Sequence, residues 1–396
     1  MKRPVMIWLP LAFVALAFVP LTAWSKDATV LILFLGAVGV AANDGARRAM
    51  FSRWPLQSLV GVAAVAFIAW SLLSLAWAPH QPIIEWLKSI AVAVMGWMLG
   101  RGLICIPADI LDRTARGVVA AAVALLILLA VERLTGAAII GLARPEQSAP
   151  RLFDELSAGL AFLCCLAFPV ARLIAVDGAP GRGAALIAAV LVLALSYNMD
   201  AAPFAVAAGM VAYIVTVAAG VRGFYVVAGA LLAAALLWGD LAALANGAGT
   251  RDWLNQNFGP NWGLRIDYWV RIAELTAQHP IIGHGFETGR FLGRPALSPQ
   301  TAAAVPFMHP HNGMMQIRLE MGVIGVALVT VFFAAAANRL ARALESRAAL
   351  ATVTATTTSV SVFWLVSFSA WAGWWLAALA LTVAVSILAL RRVPSS

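Results

Sequence analysis

The chain is built around unbroken apolar runs, of which Val118 to Val131 and Val226 to Trp238 are examples, and these constrain the fold more than any other feature. A helix of about 20 apolar residues crosses the ~30 Å hydrocarbon core of a bilayer, and it satisfies its own backbone hydrogen bonds on the way. A transmembrane barrel is excluded by the same runs, because barrel strands are short and alternate apolar with polar residues. Composition agrees: 62% of the 396 residues are hydrophobic, 11% are charged, and mean hydropathy is +0.89. A soluble domain carries about a quarter charged residues. The fold class expected is therefore an all-α polytopic membrane protein.

About twelve transmembrane helices are expected, over residues 7–24, 28–42, 57–77, 84–104, 116–132, 156–176, 184–199, 202–220, 222–240, 314–337, 348–368 and 371–390. This divides the chain into 1–240 with helices one to nine, a long loop over 241–313, and 314–396 with helices ten to twelve. The first run follows Lys2 and Arg3, and Ala23-Trp24-Ser25 loosely resembles a small-x-small cleavage site. Its apolar stretch is too long for a signal sequence, so an uncleaved anchor is expected.

Lys and Arg in short loops resist translocation. Arg47, Arg48, Arg53, Arg113, Arg116, Arg391 and Arg392 are among the many on one side, whereas the other side's short loops hold Lys26, with Lys88 near a helix start. This asymmetry predicts cytoplasmic N- and C-termini and a long loop on the outer side. It also accounts for the net charge of +9 without a nucleic-acid partner. Long loops escape the rule, so the outer arginines Arg133, Arg144, Arg151, Arg251, Arg265, Arg271, Arg290 and Arg294 need another explanation. Pairing with Asp154, Glu155, Asp252, Asp267, Glu274 and Glu287 is one; an anionic ligand, matched by the planar guanidinium fork, is the other. Cys105, Cys164 and Cys165 form no CxxC pair and read as small packing residues.

The long loop alone has the composition of a soluble domain, and it holds His279, His284, His309 and His311, four of the five histidines. Leu264 to Leu275 has the period of an amphipathic helix, with Leu264, Tyr268, Ile272 and Leu275 on one face, expected to lie at the membrane surface until Pro280 stops it. His279-Pro280-Ile281-Ile282-Gly283-His284-Gly285-Phe286 is a Pro/Gly turn whose backbone N–H groups could cradle an anion. At the mouth of the tenth helix, His311-Asn312 is followed by nine residues and Gly322-x-x-Gly325, glycines that allow close helix contact. Taken alone, His311 reads as a helix-cap residue satisfied by backbone. Glu320 is either a second acid or, more simply, the partner of Arg318. His309-x-His311 lacks a third ligand, so no metal site is expected. Trp253, Phe258, Trp262, Tyr268, Trp269 and Phe286 could stack on a ligand ring, although most of them, with Trp374 and Trp375, fit an interfacial aromatic belt.

The segment from about Arg265 to Gly325 resembles the O-antigen ligase and O-antigen polymerase superfamily of bacterial inner-membrane glycosyltransferases. The ligase motif, a His followed by Asn, Ser or Gln, nine residues and Gly-x-x-Gly, is met by His311, Asn312, Gly322 and Gly325. The upstream Arg-x-x-x-Leu/Trp and Pro-x-x-Gly-x-Gly elements are met by Arg265 to Trp269 and Pro280 to Gly285. The resemblance implies a C-type glycosyltransferase-like fold with a large periplasmic loop between helices nine and ten. It further implies a donor glycan on undecaprenyl diphosphate, an acceptor hydroxyl on lipid A-core or another lipid-linked glycan, and neither metal nor cofactor. Many members carry a Ser-Arg pair after the seventh helix, where this chain reads Ser196-Tyr197-Asn198-Met199-Asp200.

Transfer from a lipid diphosphate builds charge on the leaving group, so cations must neutralise it and a base must take the hydroxyl proton. Arg265 is expected to clamp the diphosphate and His311 to act as base. Asn312 is expected to position His311 or the sugar and His309 to contact substrate, while either Arg151, Arg290 or Arg294 replaces the missing arginine or the acceptor differs. The alternative is a twelve-helix transporter or flippase for a lipid-linked glycan, which would place its ionisable residues at mid-membrane.

Overall fold

The computed structural model describes residues 12, 14–42, 57–197, 199, 201–258, 261–292 and 309–392, with helices and no strand among them. In chain order these are α1 (Ala28–Ala41), α2 (Leu59–Ser74), α3 (Ile83–Leu103), α4 (Ala108–Leu134), α5 (Ala138–Ala143), α6 (Ala149–Val176), α7 (Pro180–Ser196) and α8 (Ala201–Ala219). They continue with α9 (Val221–Ala245), α10 (Ala248–Phe258), α11 (Asn261–Gln278), α12 (Gly289–Leu292), α13 (Gly313–Ala343), α14 (Arg347–Val366) and α15 (Gly373–Arg391). Eight helices, α3, α4, α6, α8, α9, α13, α14 and α15, are long and apolar enough to cross a membrane. Val14–Ala23, α1, α2 and α7 are apolar but shorter. Every expected span overlaps one of these elements, and eight of them have the length to cross.

The core forms around α6, which packs against α4, α7, α8, α14 and α15. A helix that is apolar all round belongs in an interior. Here Leu160, Phe162, Cys164, Cys165, Leu166 and Val170 cover its circumference and all are buried. The packing role expected of Cys164 and Cys165 is what they have. Small residues let such helices approach closely in a medium that offers little hydrophobic drive between them.

The amphipathic segment does form a helix, α11, but it does not rest on lipid. Ile266, Tyr268, Trp269, Ile272 and Leu275 are buried in a second cluster with Ala242 of α9 and Met315 and Leu319 of α13. The apolar face that suggested a bilayer surface is a protein–protein face within one chain.

The GxxG glycines also act differently from the expectation. Gly322 interrupts α13 with φ 64° and ψ −164°, a conformation essentially restricted to glycine. An interrupted helix at membrane depth exposes backbone groups that need partners, and the 280–285 turn supplies them. His284 N–H donates to the Leu319 carbonyl at 2.9 Å, and Gly285 N–H to the Glu320 carbonyl at 2.8 Å. Beyond the break, Val323 N–H donates to the Pro280 carbonyl at 2.9 Å and Ile324 N–H to the Ile281 carbonyl at 3.4 Å. Trp70 Nε1–H of α2 donates to the Met321 carbonyl at 3.0 Å. The turn is spliced into the helix. Gly283, at φ 72°, lies against the Glu320 backbone, and a Cβ at Gly322 would strike the Ile281 carbonyl.

Gly322→Ala is therefore expected to cost about 1–3 kcal/mol in backbone strain alone and to lower the melting temperature of the detergent-purified protein. Gly229→Ala, in α9 with open space around its added methyl, is expected to leave it unchanged or slightly raised. Equal melting temperatures for the two variants would contradict the splice.

Candidate functional site

The end of α13 is prepared by the three residues before it. His311 has φ 53°, in the left-handed region, and this bend turns its ring so that Nδ1 lies 2.7 Å from the Ser367 carbonyl. A carbonyl can only accept, so Nδ1 carries the proton and Nε2 is the accepting nitrogen of the ring. Asn312 is the N-cap of α13. Its Oδ1 accepts from Met315 N–H at 2.8 Å and its Nδ2 donates to the Leu365 carbonyl at 2.8 Å. The side chain is fully buried, and both amide atoms are bonded to backbone, which fixes the residue next to His311. His309 stacks 4.3 Å from His311, and its Nδ1 accepts from His311 N–H at 3.1 Å. Trp269 Nε1–H of α11 donates to the Pro310 carbonyl at 2.7 Å and fixes the segment from the other side.

His309 and His311 open onto a cavity of about 630 Å³ whose other walls include Lys26 and Asp27 before α1, Lys88 of α3, Arg290 of α12 and Trp374 of α15. Four elements distant in sequence thus bring three cations and two imidazoles to one opening. The electrostatics follow from that crowding. Burial, then the charge of Arg265, pushes His311 down to about 4. Burial, then His311, Arg290, Lys26 and Arg265, holds His309 well below the ordinary imidazole range. Both rings are neutral at pH 7, and Arg265, whose guanidinium lies 5.2 Å from the Trp262 ring centre, acts on both.

Behind this cavity lies a buried carboxylate. Glu320 is fully buried and accepts four hydrogen bonds: from Glu287 N–H at 2.9 Å, Gly289 N–H at 3.1 Å, Gln316 Nε2 at 3.1 Å and Trp371 Nε1 at 2.6 Å. Gln316 Oε1 in turn accepts from Ala370 N–H at 2.9 Å and Ser369 Oγ at 3.1 Å. Arg318, on the same helix, is exposed. Glu320 is therefore neither its ion-pair partner nor an open acid; it ties α13 to the turn before α12 and to the α14–α15 loop.

Of the remaining expected residues, Arg290 lines the cavity and forms an ion pair with Glu287 at 3.0 Å. Arg151 is exposed in the first turn of α6 and does not line the cavity. Arg294 and Asp200 lie outside the described residues, and Arg133 Nε donates to the Ser196 carbonyl beside the position of the departure. Arg144 pairs with Glu155 at 3.3 Å, Arg251 with Asp267, and Arg271 with Glu274 at 2.7 Å, so pairing explains these three. Tyr268, Trp269 and Phe286 are buried in the core and have no face for a sugar. Trp375 is also buried, whereas Trp374 faces the cavity, with Lys26 Nζ 6.0 Å from its ring centre. Lys26 and Lys88 were legible only as exceptions to the charge asymmetry of the loops. Glu287 was legible only as one of the acids that could pair with the outer arginines, and it pairs with Arg290.

Comparison with known proteins agrees with this region. Residues 181–330, from α7 to beyond the break in α13, match the family model described as O-Antigen ligase. A protein of Rickettsia prowazekii (strain Madrid E), described as a candidate polysaccharide ligase, is 33% identical over 73 residues, 17% of this chain and 18% of the relative. A similarly described protein of Rickettsia conorii (strain ATCC VR-613 / Malish 7) is 25% identical over 122 residues, 30% of this chain and 29% of the relative. The matched segments thus span less than a third of either relative's length. With the His311-Asn312 and Gly322-x-x-Gly325 spacing, they show that this part of the chain is similar to the O-antigen ligase family.

Proposed function

We propose that this protein is a glycosyltransferase of the bacterial inner membrane that moves a glycan from undecaprenyl diphosphate to a sugar hydroxyl, on lipid A-core for a ligase or on another lipid-linked glycan for a polymerase. The observation that carries this reading is the convergence of Lys26, Lys88, Arg290, His309 and His311 on one open cavity. In a protein with both termini cytoplasmic and this cavity periplasmic, Lys26 and Lys88 stand on the side where short loops otherwise exclude cations. A diphosphate gives them a partner.

In the reaction, the bond between the anomeric carbon and the diphosphate oxygen breaks as the acceptor oxygen bonds to that carbon. Charge develops on the departing diphosphate, where fixed cations stabilise it most. Arg265, Lys26, Lys88 and Arg290 fill that role. The acceptor's proton passes to His311 Nε2, which is ready to receive it because Nδ1 is bonded to Ser367. Asn312 positions His311. An apolar groove of about 470 Å³, bordered by Phe224, Leu232, Phe333 and Trp364 and ending at Met314 and Leu365 beside Asn312, suits the prenyl tail of such a donor.

His311→Ala is expected to lower transfer about 10²–10⁴-fold with the protein still folded in the membrane. Arg265→Ala is expected to abolish transfer likewise; wild-type rates in either would remove that residue's role. Below its pKa His311 is protonated and cannot accept, so the acid limb of the rate profile is expected near pH 4, and a limb near 6.5 would point to a different base. In a deletion strain, polymer accumulating on undecaprenyl diphosphate and missing from lipid A-core identifies a ligase, and single repeat units in place of polymer identify a polymerase. An unchanged surface-glycan profile would contradict both.

A further inference from the structure

A second cavity, of about 300 Å³, lies beside the first and is lined by His80, Gln81, Glu85, Glu287, Arg290 and Phe291, together with Pro82, Ile83 and Ile84. Arg290 is the residue the two cavities share. At that volume it is at the lower end of small-molecule sites.

Its unusual member is Glu287. The side chain is 3% exposed and its Oε1 meets Arg290, yet its Oε2 is buried with no hydrogen-bond partner. A buried carboxyl oxygen left in that state costs about 1–3 kcal/mol, and nothing in the turn requires it, since the backbone N–H of Glu287 is already bonded to Glu320. We infer that this cavity is the acceptor subsite, in which the Glu287 carboxyl hydrogen-bonds a hydroxyl of the acceptor sugar and Phe291 lies along the sugar ring. Phe291 is 44% exposed and is held against His80 with ring centres 3.8 Å apart, so one aromatic face is both available and fixed. The exposed Ile83 and Ile84 at the start of α3 form an apolar rim, which lets the acceptor's lipid stay in the bilayer while its sugar enters.

The protonation of Glu287 suits the role. Burial, then the negative charge of Glu320 on α13, opposed by Arg290 on α12 and reinforced by Glu85 on α3, pushes it up to about 8. A carboxyl in such a setting offers oxygens that accept and, when protonated, an O–H that donates, the same pair of functions a sugar hydroxyl presents. Arg290 at the shared wall then puts the acceptor hydroxyl next to the diphosphate cations.

This inference rests on the transfer reading. The test is steady-state transfer by the purified full-length protein, with lipid-linked glycan and lipid A-core extracted from the deletion strain as donor and acceptor. Glu287→Ala and Phe291→Ala are each expected to raise the acceptor KM about tenfold and to leave the donor KM unchanged, with Glu287→Gln, an amide mimic of the neutral acid, recovering most of the loss. If Glu287→Ala fails to fold, the more exposed Phe291→Ala decides. An unchanged acceptor KM in an active enzyme, or a rise in the donor KM instead, overturns the subsite and leaves the transfer reading intact. A wild-type protein inactive on these substrates and on two lipid-linked glycans overturns both.

Discussion

The site depends on the repair of one broken helix. At Gly322 the helical ladder of α13 stops, and in a low-dielectric interior each unmatched N–H or C=O would cost several kcal/mol. The 280–285 turn and Trp70 provide the missing partners, so the break exists only while the turn is docked. The same docking carries Glu287 and Arg290 to their cavities, and it brings Glu320 within reach of the N–H groups of Glu287 and Gly289. Fold stability and site geometry are here one set of hydrogen bonds.

Glu320 extends that set. A fully buried carboxylate is tolerated when donors surround it, and its four come from the turn, from α13 itself and from the α14–α15 loop. Gln316 extends the network to Ser369 and Ala370 in the α14–α15 loop. The same loop holds Ser367, whose carbonyl orients His311.

Much of this was legible in the sequence because hydrophobic runs and motif spacing are local properties. The helices follow from runs of Ala, Leu and Val, and the nearness of Arg265 to His311 accords with the motif that singled both out. What could not be read was anything set by distant contacts. The sequence shows Gly322 as a small residue, and small residues usually mean close helix contact; its actual role needs the turn from some forty residues upstream. The amide of Asn312 is bonded by the Leu365 carbonyl, a partner that no local pattern shows. Glu320 looked like the neighbour of Arg318, but its partners are Gln316 on its own helix and groups from the turn before α12 and the α14–α15 loop. Lys26 and Lys88 carry no motif, and only the folded chain brings them to the cavity of His311.

The clamp around Glu320 also bears on how the protein lives in membranes of differing thickness. Long helices meet a thicker or thinner bilayer by tilting, at a fraction of a kcal/mol per ångström of mismatch. The walls formed by the α12 turn, the start of α13 and the α14–α15 loop are fastened to one another through a single carboxylate rather than to the surrounding lipid. As helices tilt to meet the bilayer, these three walls keep their spacing, so the placement of Arg290 beside the start of α13 is set by protein contacts rather than by lipid.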